Sequence, residues 1–158
     1  MRELECRAWD KAFKKLLPVL QIDFYNKRVL MDNGEISDTD ASFEMVVLEP
    51  FTGVLDDDLD KIFEGDIIKG TSYLYAYQLE TGEQFDYCGA VVWNGFEYIV
   101  QDLKWSIIDG IRSKGSYDLS QTIHRNTFTR CTGKIIGNIH ENPEMLEQIC
   151  ISEKGEKE

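Results

Sequence analysis

His124, Cys131 and His140 are the residues of this 158-residue chain best suited to bind a soft metal or to pair a nucleophile with a base. Their spacings of seven and nine residues match no zinc template, whose ligands come in close pairs. Cys131 with either histidine supplies the types for cysteine–histidine catalysis, but no local signature surrounds them. The run Asp56-Asp57-Asp58-Leu59-Asp60 opens like an EF-hand loop, with acids at alternate positions. Such a loop then needs a glycine and, at its twelfth position, a glutamate; Lys61 and Ile67 stand there instead. A solvated acidic loop is the simpler account. No P-loop, G-x-G-x-x-G or G-x-S-x-G occurs. The expectation is therefore a protein that is not an enzyme, with no catalytic residue, no metal and no cofactor. Glu64-Gly65-Asp66 reads as a structural corner, where Asp66 bonds nearby backbone and fixes the turn into a short buried strand.

Aromatics offer another kind of site. Tyr73, Tyr75 and Tyr77 share one face of a β-rich run. Such a face can stack single-stranded bases, but it then needs a cationic groove. Residues 72–102 contain no lysine or arginine. A protein partner or a second copy of the chain suits tyrosine-rich strands better, with burial in a core as the plain alternative. The net charge is −12 and unevenly spread: residues 35–102 set sixteen acids against Lys61 and Lys69. Phosphate backbones are repelled by such a surface, so nucleic acid is disfavoured as a partner. The same surface could instead mimic nucleic acid and occupy a basic site on another protein. Residues 104–134 carry six bases against Asp109 and Asp118. That stretch could meet a phosphate locally, or pair with the acidic remainder.

The elements that would position these residues are mostly strands. Gly89–Trp93 and Phe96–Val100 flank Asn94-Gly95, the preferred two-residue hairpin turn. That turn pairs Trp93 with Phe96 and Val91 with Tyr98, and puts these aromatics on a core face. Tyr73–Leu79, a turn at Thr81-Gly82 and Gln84–Tyr87 extend it into a meander. A second hairpin joins Arg28–Met31 to Glu35–Ser37 through Asn33-Gly34. Met45–Leu48 is an apolar strand stopped by Pro50, and Lys134–Ile139 a last strand. Asn142 then caps a short helix with Pro143 first and Glu144 in its first turn, running through Met145, Leu146 and Ile149. Trp9, Ala12, Phe13, Leu16 and Leu17 have helical spacing up to Pro18. Ser106–Ile111 and Leu119–His124 could each hold a turn or two.

The fold class expected is mainly β, a β-rich α+β chain: a small antiparallel barrel or roll, of which an SH3-like form is one version, with an N-terminal arm and a short C-terminal helix. Residues 1–50 form the N-terminal β/arm segment, 51–150 the barrel-like domain, and 151–158 a charged, disordered tail. Hydrophobic residues make up 42% of the chain, enough for a core without disulfides. Cys6, Cys88, Cys131 and Cys150 lie far apart and are expected as free thiols in a reducing compartment. The charged start and the lack of a long apolar run imply neither a signal peptide nor a membrane span.

Three segments carry a resemblance. Arg2-Glu3-Leu4-Glu5-Cys6-Arg7-Ala8-Trp9-Asp10 has the form R-E-x-x-x-R-A-W-D. Phe51-Thr52-Gly53, with Ile62-Phe63-Glu64-Gly65-Asp66-Ile67-Ile68, has the form F-T-G … I-[YF]-E-G-D-I-[IV]. Ile136-Gly137-Asn138-Ile139-His140-Glu141-Asn142-Pro143-Glu144-Met145-Leu146 has the form I-G-N-[IV]-[HY]-E-N-P-E-L-L. In this order they resemble the YopX family of phage and prophage proteins. The resemblance implies a predominantly β fold, self-association and encoding in a phage or prophage of bacteria; the cytoplasm of the host cell is the expected location because the charged start does not read as a signal peptide. It carries no catalytic residue across. The shared positions Arg7, Trp9, Asp10, Thr52, Gly53, Glu64, Gly65, Asp66, Gly137, Asn138, Glu141, Asn142 and Pro143 read as turn and cap chemistry. The function implied is an accessory protein that acts by binding protein, or itself as a homo-oligomer.

Overall fold

The computed structural model describes residues 4–35, 37–74, 83–103, 115–118 and 133–148, and their side chains over 4–35, 37–70, 88–101 and 133–145. The chain divides into two compact units, Met1–Thr52 and Gly53–Glu158.

The first unit is a meander. It comprises β1 (Cys6–Asp10), β2 (Lys15–Asp23), β3 (Arg28–Met31), β4 (Thr39–Ser42), a 3-10 turn at Phe43–Met45 and β5 (Val46–Leu55), which continues past Thr52. The strands lie in the order β4-β3-β2-β1-β5, all antiparallel. A flat sheet would hold the outer two strands about 19 Å apart, at roughly 4.8 Å per strand. The 3-10 turn leaves four residue steps between Ser42 and Val46, about 14 Å at full stretch. The sheet must therefore curl, and a bulge between Val19 and Gln21 in β2 supplies the bend. Ala8, Leu17, Val29, Met31 and Val46 fill the inside of the curl, with Val19, Ala41, Phe43 and Leu48 packed against them. The segment thus folds on a core of its own.

The helix expected at 9–17 is not formed; those residues make two strands and a turn. Asp10 decides the matter. Its Oδ1 accepts the amides of Ala12 and Phe13, its carbonyl accepts that of Lys14, and Lys14 takes a positive φ of 54°. A carboxylate bonding its own downstream backbone competes with helix and wins here. Phe13, placed on the apolar side by helical spacing, is exposed.

Neither Pro18 nor Pro50 ends its element. Pro50 sits inside β5 opposite Cys6. Phe51 donates its amide to Glu5 of the β1 side, so the missing N–H of Pro50 points the other way. The far end of β5, past Thr52, turns into β6 (Lys61–Phe63) through the bond from Asp56 N to Asp60 O. No ladder bond to β1 is lost. Pro18 sits opposite Arg7 in β2. Its carbonyl accepts Asp32 N, just past the end of β3.

The second unit also contains β7 (Asp66–Leu74), β8 (Glu83–Trp93), β9 (Tyr98–Leu103), β10 (Gly115–Asp118), β11 (Gly133–Asn138) and α1 (Pro143–Gln148). Its five-stranded sheet has the order β10-β9-β8-β7-β11. Ile62, Ile67, Ile68, Cys88, Ala90, Val91, Ile99 and Val100 are buried. Both faces of the central strands are covered, since Val91 and Val100 point opposite to Ala90 and Ile99. The chain is mainly β, as expected, and its sheets are open rather than closed into a barrel. No helix among the described residues is long and apolar enough to cross a membrane.

Two hairpins differ from expectation. Trp93 pairs with Tyr98 and Val91 with Val100, so the loop has four residues, 94–97, not two. The Asn94 side chain accepts the amides of both Phe96 and Glu97, and Asn94 N donates to Glu97 O. Phe96 is thereby taken out of the ladder and is 91% exposed. The slip is two residues, so Val91, Trp93, Tyr98 and Val100 still share a face. The core claims only the valines, and Trp93 is half exposed. At Asn33-Gly34, Asp32 and Asn33 bond the amides of Gly34 and Glu35, and the strand resumes only at Thr39. Ile36, residues 75–82 with the Thr81-Gly82 turn, the turns expected at 106–111 and 119–124, Ile149 and the 151–158 tail lie outside the described residues.

Candidate functional site

The shared-motif residues of the first unit lie on β1 and the strand beside it. Arg7 stands directly opposite Glu49 on β5, and its Nε donates to Glu49 Oε2 at 2.7 Å. Glu49 is only 2% exposed and Arg7 is half-buried, so the pair sets a buried carboxylate against a partly exposed guanidinium. Glu49 belongs to no motif seen in the sequence; only the register brings it to Arg7. Trp9 is half-buried, and Asp10 is buried with its carboxylate turned onto the 11–14 turn. Thr52 is buried, and Gly53 takes a φ of 87°.

In the second unit Asp66 is 1% exposed and its Oδ2 accepts the Phe63 amide at 2.8 Å. Gly65, at φ 86°, donates its N–H to Val91 O and accepts Ile139 N. The Glu64-Gly65 corner therefore ties the end of β8 to the turn after β11. That turn is built by Asn138, whose Oδ1 accepts His140 N. Asn138 N donates to Asn142 Oδ1 at 3.2 Å, and Asn138 O accepts Asn142 N. Asn142 O accepts Met145 N, starting α1 at Pro143. Glu141 is exposed.

Asp56 behaves unlike the solvated residue its sequence implies. It is 2% exposed. Its Oδ1 accepts Asp58 N and Asp60 N, each at 2.9 Å, and its Oδ2 accepts Ile135 N. Asp57 N donates to Gly133 O, and Asp58 pairs with Lys134. The acidic loop thus lies along β11, at one edge of the sheet. The signal for this was a strand's unpaired amides 79 residues away, which no local pattern can show.

Asp10, Asp56, Asp66, Asn94, Asn138 and Asn142 accept backbone N–H groups, and Glu49 and Asp58 pair with cations. Among the described residues no group of three or more His, Cys, Asp or Glu is arranged to hold a metal. Burial raises the thiol pKa of Cys6 and of Cys88, away from the reactive thiolate. His140 is half-buried; His124 and Cys131 lie outside the described residues, as does nearly all of 104–134. Tyr73 lies on β7 opposite Gln84, and Tyr75 and Tyr77 lie outside the described residues. A depression on the first unit is lined by Gln21, Asp23, Leu30 and the Arg28–Asp40 ion pair.

Exposed aromatics are what the sequence reading missed. Phe24 and Tyr25 stand on the β2–β3 turn, with Phe24 edge-on to Phe43 at 6.1 Å. Trp93 and Phe96 stand at the β8–β9 tip, with Trp93 edge-on to Tyr98 at 5.0 Å. Both pairs sit at hairpin ends, where an Asp or Asn side chain shapes the turn.

Residues 5–147 match the family model described as YopX protein. Among solved structures the chain is similar to protein EF1440 of Enterococcus faecalis, at 24% identity and a TM-score of 0.50, over 92% of this chain and 99% of that one. No curated protein matches.

Proposed function

The chain belongs to the YopX family, and from that premise we propose a non-enzymatic, phage- or prophage-encoded accessory protein that works in the cytoplasm of a bacterial host by binding a protein partner or itself. One contrast supports the reading. Asp10, Glu49, Asp66, Asn138 and Asn142 have polar atoms committed to turns and ion pairs inside the fold. Large aromatic side chains stand in solvent at the hairpin ends instead. Turn chemistry holds a scaffold; exposed Phe, Tyr and Trp are what protein interfaces bury.

A second reading is supported by charge. Sixteen acids stand against two lysines over residues 35–102; with Glu49, Asp56 and Asp66 buried, the rest would suit a mimic of nucleic acid that occupies a basic site. Light scattering after size exclusion, at low and high salt, with affinity capture by the tagged chain, tests both. A stable oligomer at both salts means self-association through apolar contacts. A monomer that captures a basic nucleic-acid-handling protein, and releases it at high salt, means mimicry. A monomer that captures nothing overturns both readings.

A further inference from the structure

At one end of the five-stranded sheet, β7 and β9 begin and β8, β10 and β11 end. Hydrogen bonds tie the termini of β7, β8 and β11 together: Gly65 N to Val91 O at 2.8 Å, and Ile139 N to Gly65 O at 2.9 Å. Two features coincide there. Trp93 and Phe96 are 50% and 91% exposed, held out by the four-residue loop. The charged residues of stretches 62–68, 89–101 and 135–145 are all acids, Glu64, Asp66, Glu97, Glu141 and Glu144, with His140 beside them and no lysine or arginine. Asp66 is buried on the Phe63 amide; Glu97, Glu141 and Glu144 are exposed and Glu64 half-buried. Two bases lie further along these same strands, Lys69 on β7 facing Lys134 on β11, and Lys134 is paired with Asp58; Lys61 lies on β6.

We propose that this sheet end is a docking surface for the lysine- and arginine-rich face of another protein, with Phe96 as its apolar anchor. This rests on the reading of the chain as a binding protein and names the surface and the partner chemistry. Carboxylates attract cationic side chains, and the faces of exposed aromatic rings do so independently. The two features select the same partner. A phosphate backbone or an anionic membrane would be repelled. A second copy is opposed as a whole by its own net charge of −12, although its 104–134 stretch carries six bases against two acids.

The test uses the full chain with a photo-crosslinking residue, Phe96→benzoylphenylalanine, and a parallel Tyr25→benzoylphenylalanine on the other unit. Tyr25 is 93% exposed, so neither substitution disturbs packing. The crosslinked peptide is mapped by mass spectrometry, and the captured partner is then titrated against purified variants. The expected result is a partner joined at position 96 through a Lys/Arg-rich segment. Phe96→Ala should weaken its affinity about ten-fold, the loss of one modest hot spot. The triple variant Glu64→Lys, Glu97→Lys, Glu141→Lys should abolish binding while circular dichroism stays unchanged. Crosslinking at 96 to a neutral or acidic segment, or to a second copy, overturns the proposal, as does undiminished affinity in the triple variant. Capture at 25 but not 96 overturns this surface and leaves the binding reading standing. Capture at neither, in a monomeric protein, overturns both.

Discussion

Asp56 accepts the Ile135 amide at 3.1 Å, across 79 positions of sequence. With its other oxygen on the amides of Asp58 and Asp60, this one carboxylate shapes the β5–β6 turn and covers an edge of the five-stranded sheet. Open edges invite pairing with other chains; here a loop occupies the place of the next strand. Asp56→Ala would leave buried amides without their acceptor, and a loss of about 3 kcal/mol is expected, as for hydrogen bonds to a charged group. Asp56→Asn keeps one oxygen for the turn and sets an NH2 against Ile135 N–H, so it should recover only part. Urea unfolding measures both. A change in Asp56→Ala within about 0.5 kcal/mol, the range of ordinary surface substitutions, would refute the role.

Much of the second unit was legible because its signals are local. Asn94-Gly95 marks a hairpin tip, Glu64-Gly65-Asp66 a corner, and Asn142-Pro143 a helix start, each within a few residues. The errors arise where a side chain's partner is remote or competes with a local period. Asp10 breaks an apparent helix by taking two amides of the next turn. Pro50 looks like a stop until the register shows its missing N–H facing away from β1. Glu49 and Asp56 look like surface acids until a strand from elsewhere covers them. The exposed tip was misjudged because Asn94 lengthens the loop by two residues, a choice that Asn-Gly does not itself announce.

Arg7 and Glu49 test the first unit in the same way. Removing Arg7 leaves the buried Glu49 charge with its desolvation cost, so Arg7→Ala should lose about 3 kcal/mol. Arg7→Met combined with Glu49→Leu should lose less than the sum of the two single changes, with a coupling of at least about 1 kcal/mol. A double-mutant cycle by urea unfolding gives the number. Strict additivity would mean that the 2.7 Å contact contributes nothing to the fold.

Gly137 is needed for space. A Cβ there would stand 2.7 Å from Asn142 Oδ1 and 2.9 Å from Met145 Sδ. Gly137→Ala must displace the residue that accepts Asn138 N, at a cost of about 1–3 kcal/mol for overpacking. Faster hydrogen exchange at Met145, whose amide bonds Asn142 O, should accompany it. In an Asn142→Ala background the added methyl has more room, so the further loss should shrink. An equal loss in both backgrounds would place the strain elsewhere.

The thiols give the pH dependence its sign. Burial is the main cause raising the Cys88 pKa, opposed by Lys69; in Cys6 burial and then Glu5 both raise it. An acid with a raised folded pKa favours the fold fully below its unfolded value, here 9.0, and that contribution is lost as pH climbs through the folded value. Stability should therefore fall above pH 9, and less in Cys88→Ala than in the parent. At pH 8 the native thiolate fraction at both sites is smaller than in the unfolded chain, and Cys88 is also only 7% exposed. Iodoacetamide labelling, resolved by mass spectrometry, should be slow at Cys88, faster at the half-buried Cys6, and fast at both in denaturant. Rapid native labelling of Cys88 would mean that β8 opens where Gly70 and Lys69 face Tyr87 and Cys88, and that the core around Ile68 and Ala90 is weaker than its burial implies.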